Sequence, residues 1–258
     1  MTKDILVFSC AHTAPEVSNE RFDWLGHYIA DVKPDMVIDL GDGADMCSLN
    51  SFDSTPQAIV MQNYGNDINH YNEAMERLRA PHKKLKRKKL HWVGFEGNHE
   101  NRIKKAIAES PRSEDRTGQG YGISFGHLQT DHWFDEYHEY YNKAPAIANY
   151  CGVDFAHFFS LGNTANATGG LHHAYSVISK RHTSSVCGHS HKRNIYFMDG
   201  PGSIGLVVGC YKGHEEAWAG QSNLEWWNGV VMMREVDNGL FEPQFISLNS
   251  LEKEYGNG

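Results

Sequence analysis

Short apolar runs that end abruptly in cysteine, histidine, aspartate or asparagine recur along this chain. The clearest cases are "ILVFSCAH" at 5–12, "MVIDLGD" at 36–42, "HWVGFEGNHE" at 91–100, "VDFAH" at 153–157 and "SSVCGHSH" at 184–191. Runs of this length and composition predict buried strands. Because loops converge where the strands of an α/β fold end, the polar residues at these ends are predicted to meet in one place.

Segments with helical spacing of apolar residues lie between these runs, at 16–32, 56–80, 101–109 and 171–181. The last part of the chain adds the strand "SIGLVVGC" and a hairpin, "GVVMMREV" and "LFEPQFISL", around Asp237-Asn238-Gly239. This order of strands and helices predicts an α/β sandwich. No internal repeat or low-complexity linker divides the sequence, so we expect a single domain over 1–258 with a helical or cap insertion around 110–150.

Composition narrows the class of protein. Apolar residues make up 40% of the 258 residues and charged residues 22%, as in ordinary globular proteins. No apolar run approaches the roughly 20 residues of a membrane span, and the N-terminus lacks a signal-peptide pattern. The five cysteines are scattered and form no CxxC pair, which favours a reducing compartment. We therefore expect a cytoplasmic protein without a membrane partner; the sequence leaves its oligomeric state open.

Read in order, the ends of the apolar runs form a recognisable series. They are Cys10-Ala11-His12, Gly41-Asp42 with Asp45, Gly97-Asn98-His99-Glu100, His157, and Gly188-His189-Ser190-His191. The series resembles the calcineurin-like metallophosphoesterases, whose pattern is D-x-H, G-D-x-x-D, G-N-H-[DE], a lone His, and G-H-x-H. The resemblance covers nearly the whole chain and looks most like the stand-alone versions of phages and mobile elements, which would place the protein in a host cytoplasm.

The resemblance implies a four-layer α/β/β/α sandwich with two mixed β-sheets and a site for two metal ions, Mn, Zn or Fe. Two ions roughly 3.5–4 Å apart can clamp a phosphate and bridge a hydroxide for in-line attack. The implied ligands are Cys10, His12 and His191 for one ion and Asn98, His157 and His189 for the other, with Asp42 bridging. A lone histidine such as His157 is usually a core or surface residue, and only its place in the ordered series makes it a ligand.

Three further residues receive roles at the same site. The resemblance implies that His99 protonates the leaving oxygen. Asp45 takes the position of the second aspartate of G-D-x-x-D and is expected to orient His99 or a ligand. Arg102 lies three residues after His99, and we expect it either to reach the phosphate or to remain on a helix surface.

Cys10 stands where the family has aspartate, and three interpretations compete. The favoured one is a thiolate ligand, which would shift the site toward Zn or Fe and away from Mg or Mn. The second is loss of one metal, with Cys10 packing as a small apolar residue. The third is a nucleophilic cysteine, which ranks last because a metal site already provides a nucleophile. The family also often has glycine where this chain has Phe158, which weakens the assignment of His157.

The favoured activity is hydrolysis of phosphodiesters, with nucleic acid and nucleotides as candidate substrates. The alternatives are a phosphomonoesterase acting on a small metabolite or protein, and a non-catalytic metal-binding scaffold. The lysine-rich stretch Lys83–Lys89 fits a nucleic-acid contact, but a solvated helix end is the more common use of such a run. A net charge of −8 argues against a generally basic nucleic-acid binder.

Four other features have open interpretations. Residues 211–229 hold three tryptophans and read either as a rim over the metals or as an edge-packing connection. Residues 130–141 are acidic and aromatic, which fits a cap helix or a self-association face. We expect His172 and His173 on a helix surface or in contact with substrate. The remaining cysteines are expected to pack as small apolar residues: Cys47, Cys151, Cys187 and Cys210.

Overall fold

The structure is a computed structural model, and it describes residues 2–50, 63–83, 90–116, 122–141, 144–162, 166–199 and 202–256. Within these residues the strands form two mixed sheets. The first has the order β11-β10-β1-β2-β3-β4, and the second has the order β5-β6-β7-β9-β8. The strands of the first sheet are β1 Lys3–Phe8, β2 Met36–Asp39, β3 His91–Phe95, β4 Glu136–His138, β10 Gly229–Asp237 and β11 Leu240–Ser247. Those of the second are β5 Ala148–Tyr150, β6 Val153–Ala156, β7 Ser185–Cys187, β8 Arg193–Phe197 and β9 Ile204–Val208.

Helices cover the outer faces of the two sheets. Those in the described part of the chain are α1 Glu20–Val32, α2 Tyr64–Lys83, α3 Asn101–Glu109, α4 Thr130–Trp133, α5 His173–Arg181 and α6 Leu248–Tyr255. Apolar residues of α1 and α2 form one core with the first sheet, while α5 packs on β7 and β9 of the second. The predicted four-layer α/β/β/α sandwich with two mixed sheets is therefore confirmed.

Strand β1 shows why its sequence is apolar at consecutive positions. Ile5 and Val7 belong to the core between the two sheets, whereas Leu6 and Phe8 belong to the core beneath the helices. Side chains alternate between the faces of a strand, so a strand covered on both sides needs apolar residues throughout. The continuous run that predicted a buried strand reflects this double burial.

The central strands of both sheets are parallel. Strands β1, β2, β3 and β4 run in the same direction, as do β6, β7 and β9. Their polar end residues consequently collect at the carboxyl edges of the two sheets. The chain closes with the predicted hairpin, in which β10 and β11 pair antiparallel around Asn238 and Gly239, both at positive φ.

Some predictions meet the limits of the described residues. The helix expected at 56–80 is observed from Tyr64 to Lys83, and its predicted start at 56–62 lies outside the described residues. Most of the lysine-rich stretch, 84–89, also lies outside them. Between 111 and 150 the described residues form short 3-10 segments, α4, β4 and β5; a cap function for this region stays a prediction. Among the described helices, none combines the length and apolar character needed to cross a lipid bilayer.

Candidate metal centre

The loops that follow β1, β2, β6 and β7 are joined to one another by backbone hydrogen bonds. The N–H groups of Cys10 and His12 donate to the carbonyls of Gly41 and Asp42, both at 2.9 Å. In the second sheet, the Gly188 N–H donates to the His157 carbonyl at 3.0 Å, and the His189 N–H donates across to Cys10 Sγ in the first sheet's loops at 3.2 Å. Four segments that are far apart in sequence thus form one rigid edge, and the predicted ligands lie on it.

Glycine allows these loops to approach so closely. A Cβ atom added to Gly97 would overlap the backbone nitrogen and a carboxylate oxygen of Asp42. A Cβ added to Gly188 would overlap the Ser9 hydroxyl beside Cys10. Both positions therefore require a residue without a side chain.

Backbone strain is concentrated in the same loops. Twelve non-glycine residues of the described chain have positive φ, and five of these are predicted ligands: Cys10, His12, Asp42, His189 and His191. A non-glycine residue in this conformation costs on the order of 1–3 kcal/mol. Strain of this kind persists only where the surrounding structure enforces it, and it often marks a functional site.

One group of side chains gathers around the His157 ring. Its Nδ1 lies 2.8 Å from the Leu40 carbonyl and donates to it, which leaves a lone pair on Nε2 in the neutral ring. That Nε2 lies 3.0 Å from Asn98 Oδ1, 3.1 Å from Asp42 Oδ2 and 3.2 Å from His189 Nδ1. Several acceptor atoms therefore point at one small volume, an arrangement that a cation would stabilise.

The electrostatics of this group point the same way. Burial lowers the pKa of His157, but the adjacent Asp42 carboxylate outweighs burial and raises it. Burial lowers the pKa of His189 to about 3, so that ring is neutral and offers a lone pair. An environment that favours positive charge beside neutral imidazole, amide and carboxylate ligands fits a divalent metal ion.

A second group contains Cys10, His12 and His191. His12 Nδ1 lies 2.7 Å from Asp45 Oδ1, and its Nε2 lies 3.1 Å from His191 Nε2. Burial lowers the pKa of His12 to about 4 and lowers that of His191 as well, so both rings are neutral. Because His12 donates its Nδ1 proton to Asp45, its Nε2 lone pair faces the site. The ligand atoms of all three residues lie within 4.8 Å of one another.

Asp42 lies between the two groups. Its Oδ2 is 3.1 Å from His157 Nε2 and 3.9 Å from His12 Nε2, while its Oδ1 accepts a hydrogen bond from the His99 N–H at 2.9 Å. Burial raises the pKa of Asp42, but the surrounding histidines outweigh burial and hold it well below its usual range. Asp42 is thus a buried carboxylate within reach of both groups, which is the placement that a bridging ligand requires.

The Cys10 thiol also faces both groups. Its Sγ is within 4.8 Å of ligand atoms of His12 and His191 on one side and of Asp42 and His157 on the other. It accepts a hydrogen bond from the His189 N–H at 3.2 Å and lies 3.1 Å from the Ser9 hydroxyl. Burial and the Asp42 charge raise the pKa of the thiol well above its usual value. Cys10 would therefore become a thiolate only with a cation beside it, since a bound metal deprotonates a coordinating thiol.

Asp45 and Arg102 are both tied to His99. Asp45 Oδ1 lies 2.9 Å from His99 Nδ1 and 2.7 Å from His12 Nδ1, so one carboxylate orients two histidines. Arg102 donates to the Asp45 carbonyl at 2.7 Å and lies with Nη2 3.2 Å from His99 Nε2. Because guanidinium groups only donate, His99 Nε2 accepts from Arg102 in this arrangement.

Glu100, the last residue of the Gly97–Glu100 motif, has a supporting role that the sequence analysis missed. It is 2% exposed, and its carboxylate accepts hydrogen bonds from the N–H groups of Asp42, Ala44 and Gly97 at 2.9–3.0 Å. These bonds hold the Asp42 loop against the Asn98 loop. Its place at the end of this motif was the available signal, but neither its burial nor its partners could be read from spacing alone.

Two sequence interpretations need correction. His173 is fully buried rather than on a helix surface, and its Nδ1 lies 3.0 Å from the Ser190 hydroxyl, between the two ligand histidines. The first turn of α5 faces inward here because it packs on this loop. Cys47 does not simply pack as a small apolar residue: it is half-buried, and its thiol donates to Asp45 Oδ2 at 2.6 Å. Cys187 and Cys210 are buried as predicted.

The segment 211–229 lies against the site. The Tyr211 N–H donates to the Ser9 carbonyl, and the Trp227 N–H donates to the His191 carbonyl, both at 2.9 Å. Lys212 is buried, ion-paired with Glu216, and has its Nζ 5.0 Å from the Trp226 ring centroid. The Trp226 ring in turn meets His191 edge-on at 4.5 Å. These contacts fit the interpretation of 211–229 as a rim beside the predicted ligands; a role over bound metals stays a prediction.

Comparisons with known proteins gave structural likenesses only. No family model matches the chain, and no curated protein matches it. A single mutant of Vps29 from Entamoeba histolytica has 10% identity and a TM-score of 0.38, with 95% of this chain and 98% of that chain covered. Wild-type Vps29 with zinc from the same organism has 10% identity and a TM-score of 0.37, covering 95% and 99%. The nuclease MPE of Pseudomonas putida has 11% identity and a TM-score of 0.35, covering 93% and 87%. Because these identities and TM-scores are low, the chemistry of the site is inferred only from the side chains of this chain.

Proposed function

We propose that this protein is a phosphoesterase that depends on two metal ions and hydrolyses phosphodiesters. The observation that carries the proposal is the convergence of predicted ligands from five separate loops into two groups that share Asp42. Neutral imidazoles, an amide oxygen, a buried carboxylate and a thiol make a donor set suited to Mn, Zn or Fe. A scaffold would need neither two adjacent groups nor a histidine aligned beside them.

Each ligand has an assigned place. His12, His191 and Cys10 would hold one ion, His157, His189 and Asn98 the other, and Asp42 both. When bound, the ions supply Lewis-acid activation of the attacking water and of the phosphate. Asp45 keeps His12 in the tautomer whose Nε2 lone pair faces the site, and Leu40 does the same for His157 through its carbonyl.

His99 and Arg102 act on the substrate itself. Arg102 covers His99 Nε2, and a bound phosphate would attract the guanidinium into a bidentate contact with its oxygens. Once free, Nε2 would take a proton from water and give it to the leaving oxygen, while the Nδ1–H stays hydrogen-bonded to Asp45. Arg102 therefore links phosphate binding to exposure of the general acid.

Hydrolysis of bis-p-nitrophenyl phosphate beside p-nitrophenyl phosphate tests the proposal. The purified protein would be supplied in turn with Mn²⁺, Zn²⁺ and Fe²⁺ under a reductant. We expect turnover of the diester that is abolished by a chelator and restored by metal. Faster turnover of the monoester would identify a phosphomonoesterase, and no turnover of either ester by folded, metal-loaded protein would indicate a scaffold.

Replacement of Cys10 tests whether the thiol is a ligand. Removing a residue that only orients a metal ligand weakens metal binding by about 10–100-fold. If Cys10 is itself a ligand, we expect Cys10→Ala to weaken metal binding by at least as much. Cys10→Asp should restore binding and shift preference from Zn²⁺ toward Mn²⁺, since carboxylate is a harder donor. Two measurements check this. The first is the metal content after dialysis, and the second is the thiolate-to-Co²⁺ charge-transfer absorption of the wild type loaded with Co²⁺.

The control is Cys151→Ala, which removes a half-buried thiol just before β6, at the opposite end of that strand from His157. It should keep both the metal content and the absorption band. Equal metal content in wild type and Cys10→Ala, with no band in either, would show that Cys10 only packs. Loss of activity on peroxide treatment and its recovery with reductant would agree with a thiolate ligand.

A further inference from the structure

An exposed indole lies next to the metal ligands. Trp218 is 76% exposed, and its ring centroid lies 6.0 Å from that of Trp226 in a tilted arrangement. Trp226 itself meets the ring of His191 at 4.5 Å. An aromatic path therefore runs outward from a metal ligand to a surface ring that offers a large apolar area to solvent. A surface tryptophan in such a place is unusual, because burying it would be favourable.

The loop that carries these rings is held firmly on the site. Its two ends are bonded to Ser9 and His191, and within it Asn223 exchanges hydrogen bonds with the backbone of Glu216 at 2.8 and 2.9 Å. The Lys212–Glu216 ion pair adds a buried contact beneath Trp226. The backbone that carries the two indoles is consequently preorganised, so a ligand that stacks on them loses little free energy in ordering the loop.

We propose that Trp218 and Trp226 form a platform that stacks the base of a nucleotide ester whose phosphate lies at the metal ligands. This inference rests on the proposed function and names its substrate class. A nucleobase has the planar π-face that an indole accepts, whatever its sequence, and the sugar spans the gap between phosphate and base.

Binding of two phosphates that differ only in the base tests the platform without any turnover. Isothermal titration of the metal-loaded protein would compare thymidine 5′-monophosphate with deoxyribose 5-phosphate. We expect Trp218→Ala to weaken binding of the nucleotide by about 5–100-fold, the range of base-aromatic stacking. Binding of deoxyribose 5-phosphate should change less than about twofold, and Trp218→Phe should retain most of the nucleotide affinity because it keeps an aromatic face.

Phe197→Ala is the control, because Phe197 is 56% exposed on β8, outside the proposed metal ligands and the Trp218 platform. It should leave binding of both phosphates unchanged. The platform is refuted if Trp218→Ala binds the nucleotide as tightly as wild type, or if it weakens both phosphates equally. Turnover of methyl p-nitrophenyl phosphate by the wild type judges the proposed function separately: its absence would remove the hydrolytic role, while the binding results would still decide the platform.

Discussion

Replacing His99 with alanine is expected to lower turnover of a phosphodiester by about 10²–10⁴-fold while the protein keeps its metal ions, the usual range for loss of a general acid. The His99 ring bonds to Asp45 and Arg102 and meets the His12 ring edge-on at 4.4 Å, but His12 is held by its own hydrogen bond to Asp45, which alanine at position 99 leaves in place. The Asp42 contact uses the backbone N–H of residue 99, which alanine retains. Metal content and turnover should therefore separate in this variant.

The leaving group sharpens this test. A p-nitrophenolate leaves readily without a proton, whereas an alkoxide needs one, so the loss in His99→Ala should be larger for an ester with an alkoxide leaving group. His132→Ala, a change of an exposed histidine on α4, is the control and should alter neither turnover nor metal content. If His99→Ala slowed both esters equally, the ring would act in phosphate binding rather than in proton transfer.

Arg102 adds a way to distinguish a catalytic from a positioning role. The Arg102 guanidinium occupies His99 Nε2 and the carbonyl of Asp45 before substrate binds. Its movement to the phosphate would appear as a rise in KM when Arg102 is shortened, whereas loss of His99 would appear mainly in kcat. The two residues are neighbours on one turn of the chain, yet their kinetic signatures should differ.

The sequence predicts the scaffold of the site well because short-range patterns determine it. The apolar run of β1 and the residues Cys10 and His12 after it are adjacent, and parallel strands bring such ends together without further information. The ordered motifs then identify which ends carry ligands. That is why the fold and the convergence of Cys10, Asp42 and His157 could be expected before any coordinates were known.

The contacts that support the ligands could not be predicted in the same way. Glu100 accepts from three N–H groups in two loops, and His173, at the start of α5, lies 3.0 Å from the Ser190 hydroxyl on the loop after β7. The motif draws attention to Glu100, but the local pattern shows neither the burial nor the bonding partners of these two residues. Whether such a polar group is buried depends on how the sheets and helices pack on one another, and this packing cannot be read from the residues next to it in sequence.

The same limit explains the interpretation of Cys47. A thiol two residues after Asp45 reads as a small apolar side chain, because free cysteines are usually buried and inert. In the structure its partner is the carboxylate that orients His12 and His99. Asp45 thus has three neighbours that compete for its oxygens, and only the geometry of the loop shows how they are shared.

Asp42→Asn is expected to have the largest effect, because it removes the carboxylate that lies between the two ligand groups. We expect loss of at least one metal ion and a fall in turnover of about 10³-fold or more, beyond the cost of removing a single preorganised donor. The substitution is nearly isosteric, and an amide oxygen can still accept from the His99 N–H, so the fold should persist.

Thermal unfolding with and without metal separates the two effects of Asp42→Asn. In the wild type, added metal should raise Tm, because binding adds about 2.7 kcal/mol to the free energy of unfolding when the free metal concentration is 100 times Kd. Asp42→Asn should keep the Tm of the metal-free protein but lose most of the metal-dependent rise, while Asp131→Asn, an exposed control, should keep both. A variant that retained two ions with unchanged affinity would show that the groups around His157 and His12 bind independently. Asp42 would then support the loops rather than join the metals.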